Sequence, residues 1–222
     1  MPTKTAQVNY TSLNLEKALI WRILHRDNLQ WVLQNGIHCG NSDVRSPQWV
    51  SIGNAELIAK RAARQISMAP GGTLGDYVPF YFTPFSVMLR NIHTGWNGIK
   101  AIPNDDIVIL VSSLRRVSEL GLPFLFTDSH AYSGLARFFD DLADLDQIDW
   151  SLLQRRDFKR DPEDPGKLER YQAEALVHKQ VPLSALLGIV CHTDVVRADI
   201  ESTMQSLGVA LPVHTRPNWY FS

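Results

Sequence analysis

The run Ile-Val-Ile-Leu-Val at residues 107–111 constrains the fold more than any other stretch of the chain. It has no polar alternation and is rich in β-branched side chains, so it reads as a strand covered on both faces, at the centre of a sheet. Other strand-like runs lie around it: residues 19–25, interrupted by Arg22; the aromatic stretch 76–84; residues 124–127; residues 187–191; and a final segment, 209–221. Helical signals fall between them at irregular intervals. Residues 27–35 have Asp27 as a candidate N-cap and Gly36 as a stop, and residues 55–65 are capped by Asn54. Residues 134–145 read as an amphipathic helix, Asp149-Trp150 opens a short one, and Asp194 caps a helix to about Leu207. Residues 88–104, rich in Asn, Gly and His, read as a loop that exposes Trp96, where its ring can stack on a base. Strands and helices without regular βαβ alternation predict an α+β fold. A chain of 222 residues suits one domain over residues 15–222, preceded by a polar, flexible arm over residues 1–14.

Hydrophobic residues make up 45% of the chain and charged ones 20%, enough for a sizeable core. A net charge of -1 and a pI near 6.6 give no general attraction to nucleic acid, so any such surface has to be a local basic patch. No apolar run approaches a bilayer-spanning length, and the first 14 residues are too polar for a secretion signal, so the cytoplasm is the expected compartment. Cys39 and Cys191 each neighbour a histidine, but zinc motifs space their ligands more widely, and no metal is expected.

The most informative single residue is Glu174, a lone carboxylate in a weakly polar stretch, 171–177. As a strand, this stretch turns Gln172, Glu174 and Leu176 to one face; local propensity favours a helix with Glu174 on its solvated side. In the helix at 55–65, Leu57, Ile58 and Ala62 mark an apolar side that also carries Arg61. An inward arginine needs an anionic partner, either a structural Asp or Glu or a phosphate that fits the guanidinium fork. Tyr81 alternates away from Phe80 and Phe82 and so can line a cleft. His130, in the polar strand end Asp128-Ser129-His130, suits proton transfer, a substrate contact or a turn cap. The run at 155–165 has nearly balanced charges and reads as a solvated loop.

Together, residues 76–82, 126–131 and 171–177 resemble the DarT family of DNA ADP-ribosyltransferase toxins, and the likeness extends from about Ile20 to Val181. The resemblance implies the PARP-like ADP-ribosyltransferase fold, with split, twisted sheets holding NAD as co-substrate in the cleft. It implies Glu174 as the catalytic carboxylate, Arg61 (or Lys60, one residue away) as the active-site cation, and His130 beside the acceptor. The nucleotide pocket falls on Arg22, Ile23, His25, Asn28, Arg61 and Tyr81. Here the family pattern is altered: Arg22 stands where a His is usual and Leu24 where a Thr is common, the mark of a subgroup or a modified pocket. The loop before Glu174 assigns Arg155, Arg156, Lys159 and Arg160 to DNA phosphates and Phe158 to base stacking. The implied acceptor is a base in single-stranded DNA, thymine ahead of guanine. The implied partner is a DarG-like macrodomain antitoxin on a separate chain. Rival readings are transfer to protein or RNA, and a non-catalytic nucleotide-binding module.

Overall fold

The computed structural model describes residues 10–222. The expected arm lies outside the described residues as far as position 9. Its last residues are packed: Leu13 is buried, the Tyr10 ring meets Phe85 at 4.5 Å, and the Gln154 amide donates to Leu13 O at 2.8 Å.

The apolar run at 107–111 forms the middle of β4 (Ile107–Ser113), buried along nearly its whole length. On one side β4 pairs antiparallel with β1 (Leu19–His25) over seven rungs. On the other it meets β9 (Gly188–Cys191), which carries β10 (Val213–Thr215) in parallel. The second half of the sheet is built on β3 (Tyr77–Tyr81), which pairs along its length with β7 (Glu174–His178). Strand β5 (Phe124–Thr127) and the two-residue β6 (Phe138–Phe139) complete it, in the order β10-β9-β4-β1-β3-β7-β5-β6. A separate ladder joins β2 (Ile37–His38) to β8 (Gln180–Val181).

The two halves meet only at the rung Trp21↔Tyr81 between β1 and β3. The sequence supplies a reason. Pro79, in the middle of β3, has no N–H to give a neighbouring strand, and its carbonyl accepts instead from Arg22 Nη1 at 2.8 Å. A ladder that loses its donor splays open, which is the split expected of this α+β fold. One continuous hydrophobic core still runs beneath both halves, through Ile20, Phe80, Phe82, Ile109, Phe126 and Ala175.

Helices flank the sheet: α1 (Leu29–Asn35), α2 (Ala55–Ala63), α3 (Val87–Thr94), α4 (Leu114–Glu119), α5 (Trp150–Gln154), α6 (Lys167–Tyr171) and α7 (Asp194–Leu207). Asn54 caps α2 as predicted, accepting from Leu57 N at 2.9 Å. The predicted cap Asp27 is displaced by His25, which accepts from Asp27 N before a 3-10 turn leads into α1. Thr193 displaces Asp194 in the same way at α7.

Three expectations fail for identifiable reasons. The segment 88–104 is not a loop: Ser86 caps α3, Leu89 and Ile92 bury one side of it, and Gly95 ends it at φ 69°. Residues 134–145 are not a helix. Asp128 accepts from the backbone and side chain of Arg137, and Phe139 stacks on Phe126 with ring centroids 5.2 Å apart, so the chain runs extended beside β5 before a 3-10 turn at 142–147. Of residues 209–221, only Val213–Thr215 is strand; a 3-10 turn and the buried Tyr220, whose hydroxyl donates to Ile107 O and Val190 O, take the remainder.

Candidate active site

The stretch that reads both ways in sequence is both. Helix α6 ends at Tyr171, and β7 begins at Glu174. Glu174 therefore stands at the first position of a strand, at the mouth of the split, with 2% of its surface exposed. A carboxylate so buried needs partners, and it has several. Arg61 grips both oxygens, Nη1 to Oε1 at 3.0 Å and Nη2 to Oε2 at 2.8 Å. Ala131 N donates to Oε1 at 3.0 Å, and His130 Nε2 lies 4.0 Å from the same atom. The backbone of Glu174 is fixed as well, its N–H donating to Thr127 Oγ1, which donates in turn to Ser129 O.

Burial pushes the Glu174 carboxyl upward. The Arg61 charge, His130, the Arg61 hydrogen bonds and the Ala131 N–H together outweigh it and hold the carboxyl below its ordinary range. Burial pulls Arg61 down, while Glu174 and Tyr81 raise it above the usual arginine value. Both members of the pair are thus held in their charged forms. Tyr81 is raised, first by burial and then by Glu174, so its hydroxyl stays protonated.

Two cavities meet at this point. One, of about 410 Å³, is lined by Arg22, Ile23, His25 and Asn28 of the first strand and turn, by Trp49 and Ile52 of the following loop, and by Tyr77. The other, of about 400 Å³, is lined by Glu174, His130, Gln172, Tyr132, Asn91 and Lys60. Ile58, Arg61, Pro79, Tyr81 and Met88 line both. Arg61 and Tyr81 therefore stand in a common wall, and the carboxylate lies just beyond it.

The inward partner of Arg61 is a structural-looking acid in position and a chemical one in setting, and Lys60 is not its substitute, since it pairs with Glu56 across one helical turn. The predicted nucleotide-pocket residues all line the first cavity, in two manners. Arg22 enters the cavity from an interior strand and not from a sheet edge. It is half-buried, its Nε is buried without a partner, and burial brings its pKa down to about 10, with Tyr81 opposing and Arg61 adding to the fall. Asn28 shapes the wall, holding Val50 at both ends of its amide, 2.7 Å to the carbonyl and 2.8 Å from the N–H.

The loop assignments fare differently, since none of Arg155, Arg156, Phe158, Lys159 and Arg160 lines either cavity. Phe158 is no open stacking platform: its ring packs on Tyr171 and Phe221, with the Arg90 guanidinium 5.9 Å above it. Arg156 lies over Phe85 at 4.0 Å and Phe221 at 4.8 Å, so its planar face is taken by aromatic rings. The acids of the loop are held by cations behind it, Asp157 by Lys167 at 2.6 Å and Asp164 by Arg170 at 2.6 Å. Among the described residues no group of three or more His, Cys, Asp or Glu side chains could hold a metal ion.

Sequence reading missed Met88, Asn91 and Ile99, because the segment carrying them read as a loop. The signal was present in Ser86 followed by Leu89 and Ile92, a cap and a helical apolar pair. Tyr132 and the wall from Trp49 to Ile52 carried no signal, being brought in by the turn after β5 and by the bonds from Asn28 to Val50.

This geometry has close relatives. Residues 21–221 match the family described as ssDNA thymidine ADP-ribosyltransferase, DarT. A DNA ADP-ribosyl transferase of Escherichia coli O127:H6 is 57% identical over 211 residues, covering 95% of this chain and 97% of its own. Among solved structures, Thermus sp. 2.9 DarT in complex with ADP-ribosylated ssDNA superposes with a TM-score of 0.85 at 34% identity, over 93% of this chain and 97% of that one. The same Thermus protein in complex with NAD+ gives 0.80 at 33% identity, over 93% and 98%. The chain belongs to the DarT family of single-stranded-DNA thymidine ADP-ribosyltransferases.

Proposed function

We propose that this protein transfers ADP-ribose from NAD to thymine in single-stranded DNA, and that the two cavities divide the work, the Arg22–Asn28 side holding NAD and the Glu174 side holding the base. One observation carries this reading: Arg61 and Tyr81 form the wall shared by both cavities, with an ionised carboxylate against it. Cleavage of the nicotinamide bond sends its electron pair out with nicotinamide and leaves positive charge on the ribose. Glu174, already ionised and fixed on three sides, stabilises that charge without reorganisation. Arg61 holds donor and acceptor in line. A ring nitrogen of the base supplies the electrons of the new bond, and His130 orients the base and accepts the proton it releases. A stacked base cannot reach this buried point, which favours single strands over duplex.

His25, Ile23 and Asn28 complete the NAD pocket in this account, and Arg22 offers its unpaired Nε to the cofactor. Lys159 and Arg160 serve the DNA backbone at a distance from the reacting base. Among the described residues no helix is long and apolar enough to cross a membrane, and we place the activity in the cytoplasm, where replicating DNA is accessible. There a separate macrodomain antitoxin would reverse the modification.

The test is incubation with labelled NAD and, separately, single-stranded DNA, duplex DNA, RNA and protein, beside Glu174→Ala. Label confined to single-stranded DNA and absent with the variant is the expected result. Label retained by Glu174→Ala sinks the catalytic assignment, and label on another acceptor moves the substrate.

A further inference from the structure

The proposed function places one base in the Glu174 cavity but does not say where the rest of the strand lies. The loop at 155–160 is a poor candidate for the nearest nucleotides, since Phe158 and Arg156 are occupied by packing. The rim built by α3 and the turn after it is better suited. Asn91, on α3, and Ile99, just after it, line the base cavity, and between them the chain turns through a 3-10 segment at Trp96–Gly98. Gly95 and Gly98, at φ 69° and 73°, make the corner.

Trp96 sits on that corner with 65% of its surface exposed. An exposed indole offers a flat π-face on which a base can stack. Its footing is firm: Ile99 N donates to Trp96 O at 3.3 Å, and Ile102 N donates to Ile92 O at 3.2 Å, tying the corner back onto α3. The charge is also distinctive. Residues 87–103 contain no Asp or Glu and carry Arg90, His93 and Lys100, with Arg90 and Lys100 exposed. In a chain of net charge -1, this is the local basic patch a nucleic-acid surface requires. A flat aromatic among cations, continuous with a cavity that takes one base, is how single strands are bound without duplex geometry.

We infer that Trp96 is the stacking platform for a nucleotide flanking the modified thymine, with Lys100 beside it for the phosphate, so that the DNA strand leaves the base cavity over the α3 corner. This rests on the transferase reading above. It makes Trp96 a determinant of DNA affinity that touches neither NAD nor the reacting atoms.

The experiment is steady-state transfer to a thymine-containing oligonucleotide of about ten nucleotides, repeated with one trimmed to about three. The enzymes are the wild-type protein, Trp96→Ala and Trp96→Tyr. Loss of one stacking contact should raise KM for the longer DNA about tenfold in Trp96→Ala. Turnover and KM for NAD should stay unchanged, and Trp96→Tyr should recover most of the loss. The difference between wild type and Trp96→Ala should shrink on the trimmed oligonucleotide, and quenching of tryptophan fluorescence by DNA should fall in Trp96→Tyr. Equal KM values for wild type and Trp96→Ala overturn the inference while leaving the transferase reading intact. So does a variant that binds DNA normally but escapes a macrodomain antitoxin, which would give the indole to a protein partner. A wild-type enzyme that labels no single-stranded DNA fails the transferase reading itself and takes this inference with it.

Discussion

Arg22 brings a guanidinium into the first cavity with one hydrogen bond, to Pro79 O, and a buried Nε that has none. An unsatisfied buried donor costs stability, and such costs collect where a ligand is to be bound. The sign follows from its pKa. At about 10 in the folded chain against 12.5 ordinarily, the charged form is penalised by folding at every pH below 10, and the penalty lifts only as pH rises from 10 toward 12.5. Arg22→Gln keeps a donor for Pro79 and removes the charge. It should gain about 1 kcal/mol near neutral pH, read as a higher thermal midpoint, while KM for NAD rises. A lower midpoint would show that the guanidinium stabilises the empty protein. Glu174 has the opposite sign. Its folded pKa lies below the ordinary 4.5, so its contribution is complete above 4.5 and is lost as pH falls through the lower folded value. Glu174→Gln should therefore unfold more readily than wild type at neutral pH, by about 1–3 kcal/mol, with the two unfolding curves converging in acid. A gap that stays constant with pH would deny the carboxylate its charged role.

Helix α2 has no buried residue, yet it supplies Arg61, the main grip on Glu174 across 113 positions of sequence. Its stability is local, resting on the Asn54 cap and on that ion pair. Asn54→Ala should cost about 1 kcal/mol within the helix. We expect turnover to fall and amide exchange over residues 55–63 to quicken, with the global melting temperature nearly unmoved; a drop in melting temperature matching the loss of turnover would contradict this. Much of this element was legible in sequence, because Asn54, Leu57, Ile58 and Arg61 state a capped helix with a cation on its apolar side. What was not legible is that the apolar side faces a cleft rather than the core, leaving Ile58 46% exposed. The same limit explains 134–145, where a helical pattern gave way to the long-range contacts of Arg137 with Asp128 and Phe139 with Phe126. It also explains Glu174, whose surroundings favour helix until β3 and β5 claim the residues after it as a strand. Tertiary partners decided these cases, and they lie beyond the reach of a helical turn, 9 positions away for Asp128 and Arg137 and 113 for Arg61 and Glu174.

At the scale of the whole molecule, a net charge of -1 implies that DNA is drawn by a patch and not by the protein at large. The logarithm of DNA affinity should fall with the logarithm of salt at a slope near -0.7 for each phosphate neutralised, and about two or three contacts are expected from so small a patch. A slope several times steeper would reveal a basic surface beyond the α3 corner and the Lys159-Arg160 pair. NAD, in the pocket proposed above, should raise the folding free energy by about 2.7 kcal/mol at a hundredfold excess over its Kd, measurable as a thermal shift without DNA. The fold class and its central strand were readable because five apolar residues in a row leave few alternatives. The position of the split was not, although Pro79 marked it. That imino acid has a further consequence. Because β1 cannot zip onto β3 for want of a single hydrogen, the aperture between the two half-sheets is written into the covalent chain and exists before any substrate arrives. Strands rise about 3.3 Å per residue, so a tilt of about ten degrees about the lone rung moves their ends four residues away by about 2 Å. That is a fine adjustment on a gap already open, and its width is set at the rung itself, by the buried Trp21 on one side and by Tyr81, which also lines both cavities, on the other.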